Sequence, residues 1–229
     1  MIRKPLRLIV CGASGRMGAR VRALALEDPR FALVGGISLG EDISPLMGKA
    51  DLIVDFTSPE ASVTFAAAAA RAKKPIVIGT TGFSTRELSR IKSCARRTAV
   101  LISPNFSRGV NLMFDLAARA ARILAGYDAS VSEIHHNRKK DAPSGTALRL
   151  ARAVGEGRKS QTPVPAVSQR LGDVVGEHTL TLAGPFERLE ITHRAHSRDV
   201  FARGALEAAL WLLRRQPGLY DMGDLMQAP

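Results

Sequence analysis

The chain has 229 residues, 45% of them hydrophobic and 24% charged, with a formal net charge of +12. That balance suits one large globular domain or two modest ones and excludes a disordered, collagen-like or coiled-coil chain. The positive charge fits an anionic small molecule. The arginines are scattered (Arg20, Arg71, Arg90, Arg96, Arg97, Arg214, Arg215) and aromatics make up only 5%, so no nucleic-acid partner is expected.

The first residues, Met1 to Lys4, are basic, and the apolar run from Leu8 to Cys11 is too short for a signal-peptide core. No stretch is long enough to span a bilayer, so no membrane partner is expected. Cys11 and Cys94 form neither metal-ligand spacing nor a disulfide framework, which favours a reducing, cytoplasmic setting.

Residues 6–11 read as a strand, 18–26 as a helix, 31–37 and 51–56 as strands. Ser58-Pro59-Glu60 then opens an alanine-rich helix over 59–72 in an N-cap, first-position and first-turn arrangement. A strand over 75–79, a helix over 85–97 and a strand over 99–103 follow. Short, uniformly apolar strands separated by helices predict a parallel sheet covered on both faces.

Between the first strand and its helix lies Gly12-Ala13-Ser14-Gly15-Arg16-Met17-Gly18. Glycines there permit a tight turn and close backbone approach, so that the helix start can hold a pyrophosphate. The spacing is G-x-x-G-x-x-G, and a glycine-rich turn without a ligand is the competing reading. Strand two ends Gly35-Gly36-Ile37-Ser38, with no carboxylate at the place where one would bond the adenosine ribose. Neutral Ser38 and nearby Arg16 favour NADPH over NADH, and Glu41 and Asp42 a few residues on oppose that preference.

After Asn105 the pattern changes. A helix over 111–124, a strand over 129–135 and a helix over 146–154 precede three strands, over 165–171, 177–183 and 189–193, with no helix between them. This predicts an α+β segment with a sheet open on one face. A last helix over 204–215, carrying Trp211, suits packing back onto the first domain. The whole reads as an α/β chain: a Rossmann-type parallel-sheet domain over 1–107 and 199–229, with an inserted α+β domain over 108–198.

The densest cluster of chemistry is Glu133-Ile134-His135-His136-Asn137-Arg138-Lys139-Lys140-Asp141-Ala142-Pro143-Ser144-Gly145-Thr146-Ala147. Adjacent histidines at a strand end, several cations and a Ser-Gly-Thr helix start make an anion site. Histidines titrate near neutral pH and serve proton transfer. Each part has a plainer reading: His135 and His136 as a metal pair, which lacks a third ligand nearby in sequence; Arg138 to Lys140 as a solvated loop; Ser144 as only an N-cap.

The stretch SEIHHNRKKDAPSGTAL resembles the E-x-H-H-x-x-K-x-D-x-P-S-G-T-A signature of dihydrodipicolinate reductases. VCGASGRMG, DFTSPE, IGTTGF, PNFSRGVNLM, GDVVGEHT and ERLEITHRAHSR resemble further blocks of that family, in its order. The resemblance implies a Rossmann domain plus an inserted domain for substrate and oligomer contacts, a homotetramer, and reduction of the dehydration product of 4-hydroxy-tetrahydrodipicolinate, an anionic dicarboxylate, with NADPH or NADH. By matching position it implies His135 for proton transfer, Lys139 as proton donor, and His136, Ser144, Gly145 and Thr146 around a substrate carboxylate. Gly12, Ala13, Ser14, Gly15, Arg16, Met17, Ser38, Gly79, Thr80, Thr81, Ser103, Pro104, Asn105 and Phe106 would line the cofactor; no metal is expected. The chain departs from the family at Ser38, where an acid is common, and in the short segment over 39–49. Two other readings compete: a different amino-dicarboxylate dehydrogenase, acting on diaminopimelate or aspartate, and a non-catalytic nicotinamide-sensing protein.

Overall fold

The structure, a computed structural model, describes residues 4–38 and 40–227. Met1 to Arg3 of the basic start, and Leu39 of the short segment, lie outside the described residues. The chain divides into two compact units, Met1–Phe106 with Asp199–Pro229, and Ser107–Arg198.

The first unit opens with β1 (Leu6–Cys11), α1 (Arg16–Glu27), β2 (Phe31–Ile37), the short α2 (Ser44–Met47), β3 (Leu52–Asp55), α3 (Pro59–Ala72), β4 (Ile76–Ile78), α4 (Thr85–Cys94) and β5 (Ala99–Ile102). β3 and β4 are buried along their whole length, as apolar runs without alternation require. α3 starts where Ser58 accepts a hydrogen bond from Ala61 N, with Pro59 at its first position, and stops at Lys73, which sits in the left-handed region. α4 starts with a reciprocal capping box between Ser84 and Glu87.

The second unit holds α5 (Arg108–Ile123), β6 (Asp128–His135), α6 (Gly145–Arg158), β7 (Ala166–Arg170), β8 (Gly176–Ala183) and β9 (Arg188–Ala195). Its sheet runs β7-β6-β8-β9, with β7 parallel to β6 and the rest antiparallel. Val110, Met113, Phe114 and Ala117 of α5 and Leu150 and Val154 of α6 form one core with Val131, Leu180 and Leu182. Because strand side chains alternate, Ser130, Ser132, Thr179 and Thr181 point to the opposite, open face. There Thr179 and Thr192 hydroxyls meet at 3.0 Å and Arg194 bonds Glu177 at 3.0 Å.

The chain then returns to the first unit as α7 (Asp199–Leu212), β10 (Gly218–Tyr220) and α8 (Met222–Gln227). β10 adds an edge to a six-stranded parallel sheet ordered β10-β5-β4-β3-β1-β2. α7 packs on α1 and beneath β3, β4 and β5, and Trp211 and Tyr220 pack against that core. α7 begins at Asp199, whose carboxylate receives a two-pronged bond from Arg20 of α1. That is five residues earlier than expected from sequence, where Gly204 looked like a boundary. β10, α2 and α8 were not expected: each is too short to show a period.

Leu180 is fully buried where β8 meets α5 and α6. Leu180→Ala is expected to lower stability by about 2–5 kcal/mol through lost burial and the cavity left behind, read by urea unfolding. A loss under about 1 kcal/mol contradicts this packing.

Candidate active site

The carboxyl-terminal edge of the parallel sheet is where open α/β folds present ligand sites. Here it is stitched by Gly12 N and Ala13 N donating to Ile37 O, Gly79 N to Asp55 O and Ser103 N to Ile78 O. Gly12 has φ of +79°, and a Cβ on it would lie 2.4 Å from Phe56 O; a Cβ on Gly18 would lie 2.0 Å from Gly12 O. Only glycine allows this turn to fold so tightly onto α1. α1 begins at Arg16 with Gly15 as its N-cap and no side-chain cap bond, whereas serines cap α3, α4, α5 and α6. The first N–H groups of α1 therefore lack a side-chain acceptor, as a helix start that receives a pyrophosphate requires. The chain's own residues thus fit a dinucleotide.

Around this turn the expected cofactor residues divide. Ser14, Gly15 and Arg16 are exposed, Ala13 is buried and Met17 half-buried. Arg16 makes no ion pair among the described residues. Ser38 N donates to Glu41 Oε2 at 2.6 Å, which folds that carboxylate back onto the end of β2. Thr80 is buried; its Oγ1 accepts from Thr57 N at 3.1 Å and lies 2.8 Å from Ser62 Oγ. Gly79 lies against the Phe56 ring, and Thr81 and Pro104 are exposed beside them. Ser103 Oγ closes a turn with Asn105. Phe106 is 2% exposed, and its ring packs edge-on against Phe56 in the core.

Beneath Thr80 lies a network not foreseen from sequence. Asp55, fully buried, accepts from Ser62 Oγ and from Thr57 Oγ1 at 2.6 Å. Burial pushes its carboxyl up to about 6 against the pull of those hydroxyls. The DFTSPE stretch carried the signal: a carboxylate ending a buried strand, with hydroxyls two and seven residues on.

The second unit builds the other cluster. β6 ends at His135, and alternation sends Val131, Glu133 and His135 to the covered face. Glu133 is fully buried. Its Oε2 faces His135 Nδ1, and its Oε1 accepts from Arg170 Nη2 at 2.9 Å and from Ser144 N at 3.2 Å. Burial alone would raise this carboxyl, but the bonds from Arg170 and His135 outweigh it and hold it down to about 2. His135 is lowered, chiefly by burial and further by Lys139 and Arg170, with Glu133 pulling the other way. It is thus a neutral imidazole near pH 7. An ionised carboxylate can only accept, so His135 carries its proton on Nδ1 and leaves Nε2 as an acceptor.

Lys139 Nζ is paired with both Asp141 oxygens, at 2.9 and 2.8 Å. The loop between is tied down by Asn137 N to Gly172 O, Lys139 N to His136 O and Leu171 N to His135 O. Ser144, at 1% exposure, caps α6 by accepting from Ala147 N and faces His178 Nε2 at 3.3 Å. Its hydroxyl thus serves the helix start at the place where the carboxylate contact is expected. Gly145 is exposed, with nothing within 4 Å of where its Cβ would be, so the space over the start of α6 is open. His136 and Thr146 are half-buried beside it.

His178, on β8, stacks edge-on against His135 with centroids 5.0 Å apart, and burial pushes it down to about 3. Donor atoms of Glu133, His135 and His178 all lie within 4.8 Å of one another. The sequence reading found no third donor near the two histidines; the fold supplies one from the adjacent strand. Both Glu133 oxygens already accept hydrogen bonds, and the Arg170 guanidinium lies against one of them. The cluster is therefore an ion-paired hydrogen-bond network rather than a free donor set. Glu133, Arg170 and His178 were not singled out from sequence as site residues.

Residues 6–106 match the family model for the dihydrodipicolinate reductase N-terminus, and residues 109–226 that for its C-terminus. The 4-hydroxy-tetrahydrodipicolinate reductase of Aquifex aeolicus is 43% identical, covering 96% of this chain and 98% of its own. A dipicolinate-bound dihydrodipicolinate reductase from Paenisporosarcina superposes with a TM-score of 0.82 at 21% identity, covering 97% of this chain and all of its own. The diaminopimelate dehydrogenase of C. glutamicum reaches a TM-score of 0.57 at 14% identity over 99% of this chain and 97% of its own, a likeness of fold alone.

Gly18→Val places a branched side chain where even a Cβ meets Gly12 O at 2.0 Å. It is expected to weaken reduced-nucleotide binding at least about tenfold, since the turn must open and the helix start withdraw. Fluorescence titration reads this; unchanged affinity contradicts the assigned cradle.

Proposed function

The chain belongs to the dihydrodipicolinate reductase family, and on that premise we propose how its residues share the reaction. The protein is a nicotinamide-dependent oxidoreductase that reduces the dehydration product of 4-hydroxy-tetrahydrodipicolinate to tetrahydrodipicolinate, a step of lysine and diaminopimelate biosynthesis. Bound at the start of α1, the reduced nucleotide supplies the hydride that adds to the substrate ring.

In our reading the turn from Gly12 to Met17 holds the pyrophosphate, with Gly79 to Thr81 and Ser103 to Asn105 beside the rest of the nucleotide. The substrate carries two carboxylates and a conjugated imine. One carboxylate sits over the start of α6, against Gly145, Thr146 and His136, where helix-terminal N–H groups favour an anion. Reduction leaves negative charge on the ring carbon and nitrogen next to the reduced carbon, and a nearby acid must quench it. Lys139 is that donor: it is the cation of the loop whose ammonium is pre-oriented by Asp141. His135, neutral and with Nε2 open as an acceptor, handles the proton beside it. The fixed cations and N–H dipoles stabilise the anionic species without reorganising during the reaction. The observation carrying this reading is that one loop brings together His135, Lys139 and the open start of α6.

Both nucleotides are accepted, with NADPH preferred. Ser38 and Arg16 present no like charge to a 2′-phosphate, while Glu41, turned onto Ser38 N, opposes it. We infer a cytoplasmic enzyme, in keeping with its two free cysteines, whose partner is a small anionic substrate rather than a membrane or nucleic acid. It assembles as a homotetramer through the open, threonine-rich face of the second unit's sheet, whose flat small side chains suit face-to-face contact.

Lys139→Ala is expected to cut turnover by about a hundredfold or more, measured as NADPH oxidation with the condensation product of pyruvate and aspartate semialdehyde. Near-parental turnover removes the lysine from its role. In titration, NADPH is expected to bind more tightly than NADH, and Glu41→Ala to widen the gap; NADH binding tenfold tighter reverses the cofactor reading.

A further inference from the structure

Arg170 lies at the end of β7, opposite His135 in the parallel register of β6 and β7. Its guanidinium makes contacts in several directions. Nη2 donates to Glu133 Oε1 at 2.9 Å and to the Asp141 carbonyl at 2.6 Å, Nε to the Lys139 carbonyl at 3.2 Å, and Nη1 to the Gln169 carbonyl at 2.6 Å. The side chain is 19% exposed and the carboxylate it meets is fully buried. One planar cation thus touches the carboxylate behind His135 and the backbone on both sides of Lys140.

We propose that Arg170 is a positioning residue of the reduction, setting the His135 tautomer through Glu133 and the reach of the Lys139 ammonium through the carbonyls of Lys139 and Asp141. The inference rests on His135 and Lys139 being the pair that handles the proton.

The tautomer half follows from charge. A buried carboxylate with no counter-charge takes up a proton, and a protonated Glu133 would donate as well as accept. Held ionised by Arg170 and Ser144 N, it can only accept, so the proton between it and His135 belongs to Nδ1. The reach half follows from shape. Lys139 stands six residues before Gly145, the first residue of α6, in a stretch with no strand or helix of its own. Its carbonyl and that of Asp141, whose carboxylate grips the ammonium, are held by the same guanidinium. A lysine in place of Arg170 keeps the charge but has no fork with which to reach Glu133 and two carbonyls at once.

Every neighbouring element contributes to the field on His135: Glu133 on its own strand, Lys139 from the loop, Arg170 from β7, and His178 from β8. Glu133 raises the imidazole and Arg170 lowers it. Without Arg170 the buried Glu133 takes up a proton and its larger pull on the ring is lost, so removing either residue should move the His135 titration down, which loss of packing alone would not do.

The test uses the full-length enzyme with Arg170→Ala, Arg170→Lys, Arg170→Met and Glu133→Gln, beside His135→Gln and Lys139→Ala. Both Arg170→Ala and Arg170→Lys are expected to lose at least about tenfold in kcat with nucleotide affinity unchanged, and guanidinium in the buffer to restore part of the loss to Arg170→Ala. The pH limb belonging to His135 should move down in both Arg170→Met and Glu133→Gln. Turnover within twofold of the parent in Arg170→Ala overturns the proposal. So does a loss without rescue and with the pH limb unmoved in both Arg170→Met and Glu133→Gln at parental melting temperature, which marks a structural role only. If Arg170→Ala fails to fold, Arg170→Lys and the Glu133→Gln limb decide alone. Full turnover in His135→Gln and Lys139→Ala would instead bring down the underlying assignment.

Discussion

Glu133 is a carboxylate with no exposure to water, and the chemistry of the second unit is arranged around keeping it charged. An ion in that position is tolerated only with partners on its lone pairs. Arg170, the Ser144 N–H and His135 supply them, from β7, the start of α6 and the end of β6. Three elements are thereby fixed to one another at the place where the His135 to Thr146 loop begins and ends. Losing a partner would leave a buried polar group unsatisfied, at a cost of about 1–3 kcal/mol or more for an ion. The same bonds that stabilise the loop fix which nitrogen of His135 holds a proton, so stability and chemistry share one cause.

The first unit solves a different problem with backbone alone. Its glycine turn and the side-chain-free start of α1 offer N–H groups and close approach but no charge of their own. The charges beside this turn are Arg16 and, at the end of β2, Glu41 folded onto Ser38. Asp55 stiffens the strand-ending turns from below through Thr57, Ser62 and Thr80. The two units thus differ in kind: the turn of the first offers backbone donors, and the loop of the second gathers charged side chains.

Much of this was legible in the sequence because it rests on local rules. Uniform apolar runs pointed to the parallel strands, Ser58-Pro59 to the start of α3, and three successive strands with no helix between them to a sheet with an open face. Helix limits were less legible where capping and packing compete. The second helix of the inserted unit runs on through Gly155 and Gly157 to Arg158, although glycines usually argue for a stop. A Cβ on Gly157 would lie 2.1 Å from Ala118 O, so its absence lets α6 press onto α5. In the site, His135 and Lys139 were visible as a motif, whereas Arg170 and His178 were not. Both reach the cluster across strand pairings that bring residues more than thirty positions apart side by side, which no local pattern records. Ser144 and Phe106 stand in the blocks expected to line ligands, and the structure also gives each a structural task, one in capping a helix and the other in filling a core.

The most direct measurement of this electrostatic arrangement is the 15N spectrum of the His135 ring in the free enzyme. The account requires a neutral imidazole at pH 7, protonated on Nδ1, with Nε2 showing the shift of an unprotonated nitrogen. An imidazolium at that pH, or the opposite tautomer, would mean that Glu133 does not govern the ring and that the proton is handled by some other group.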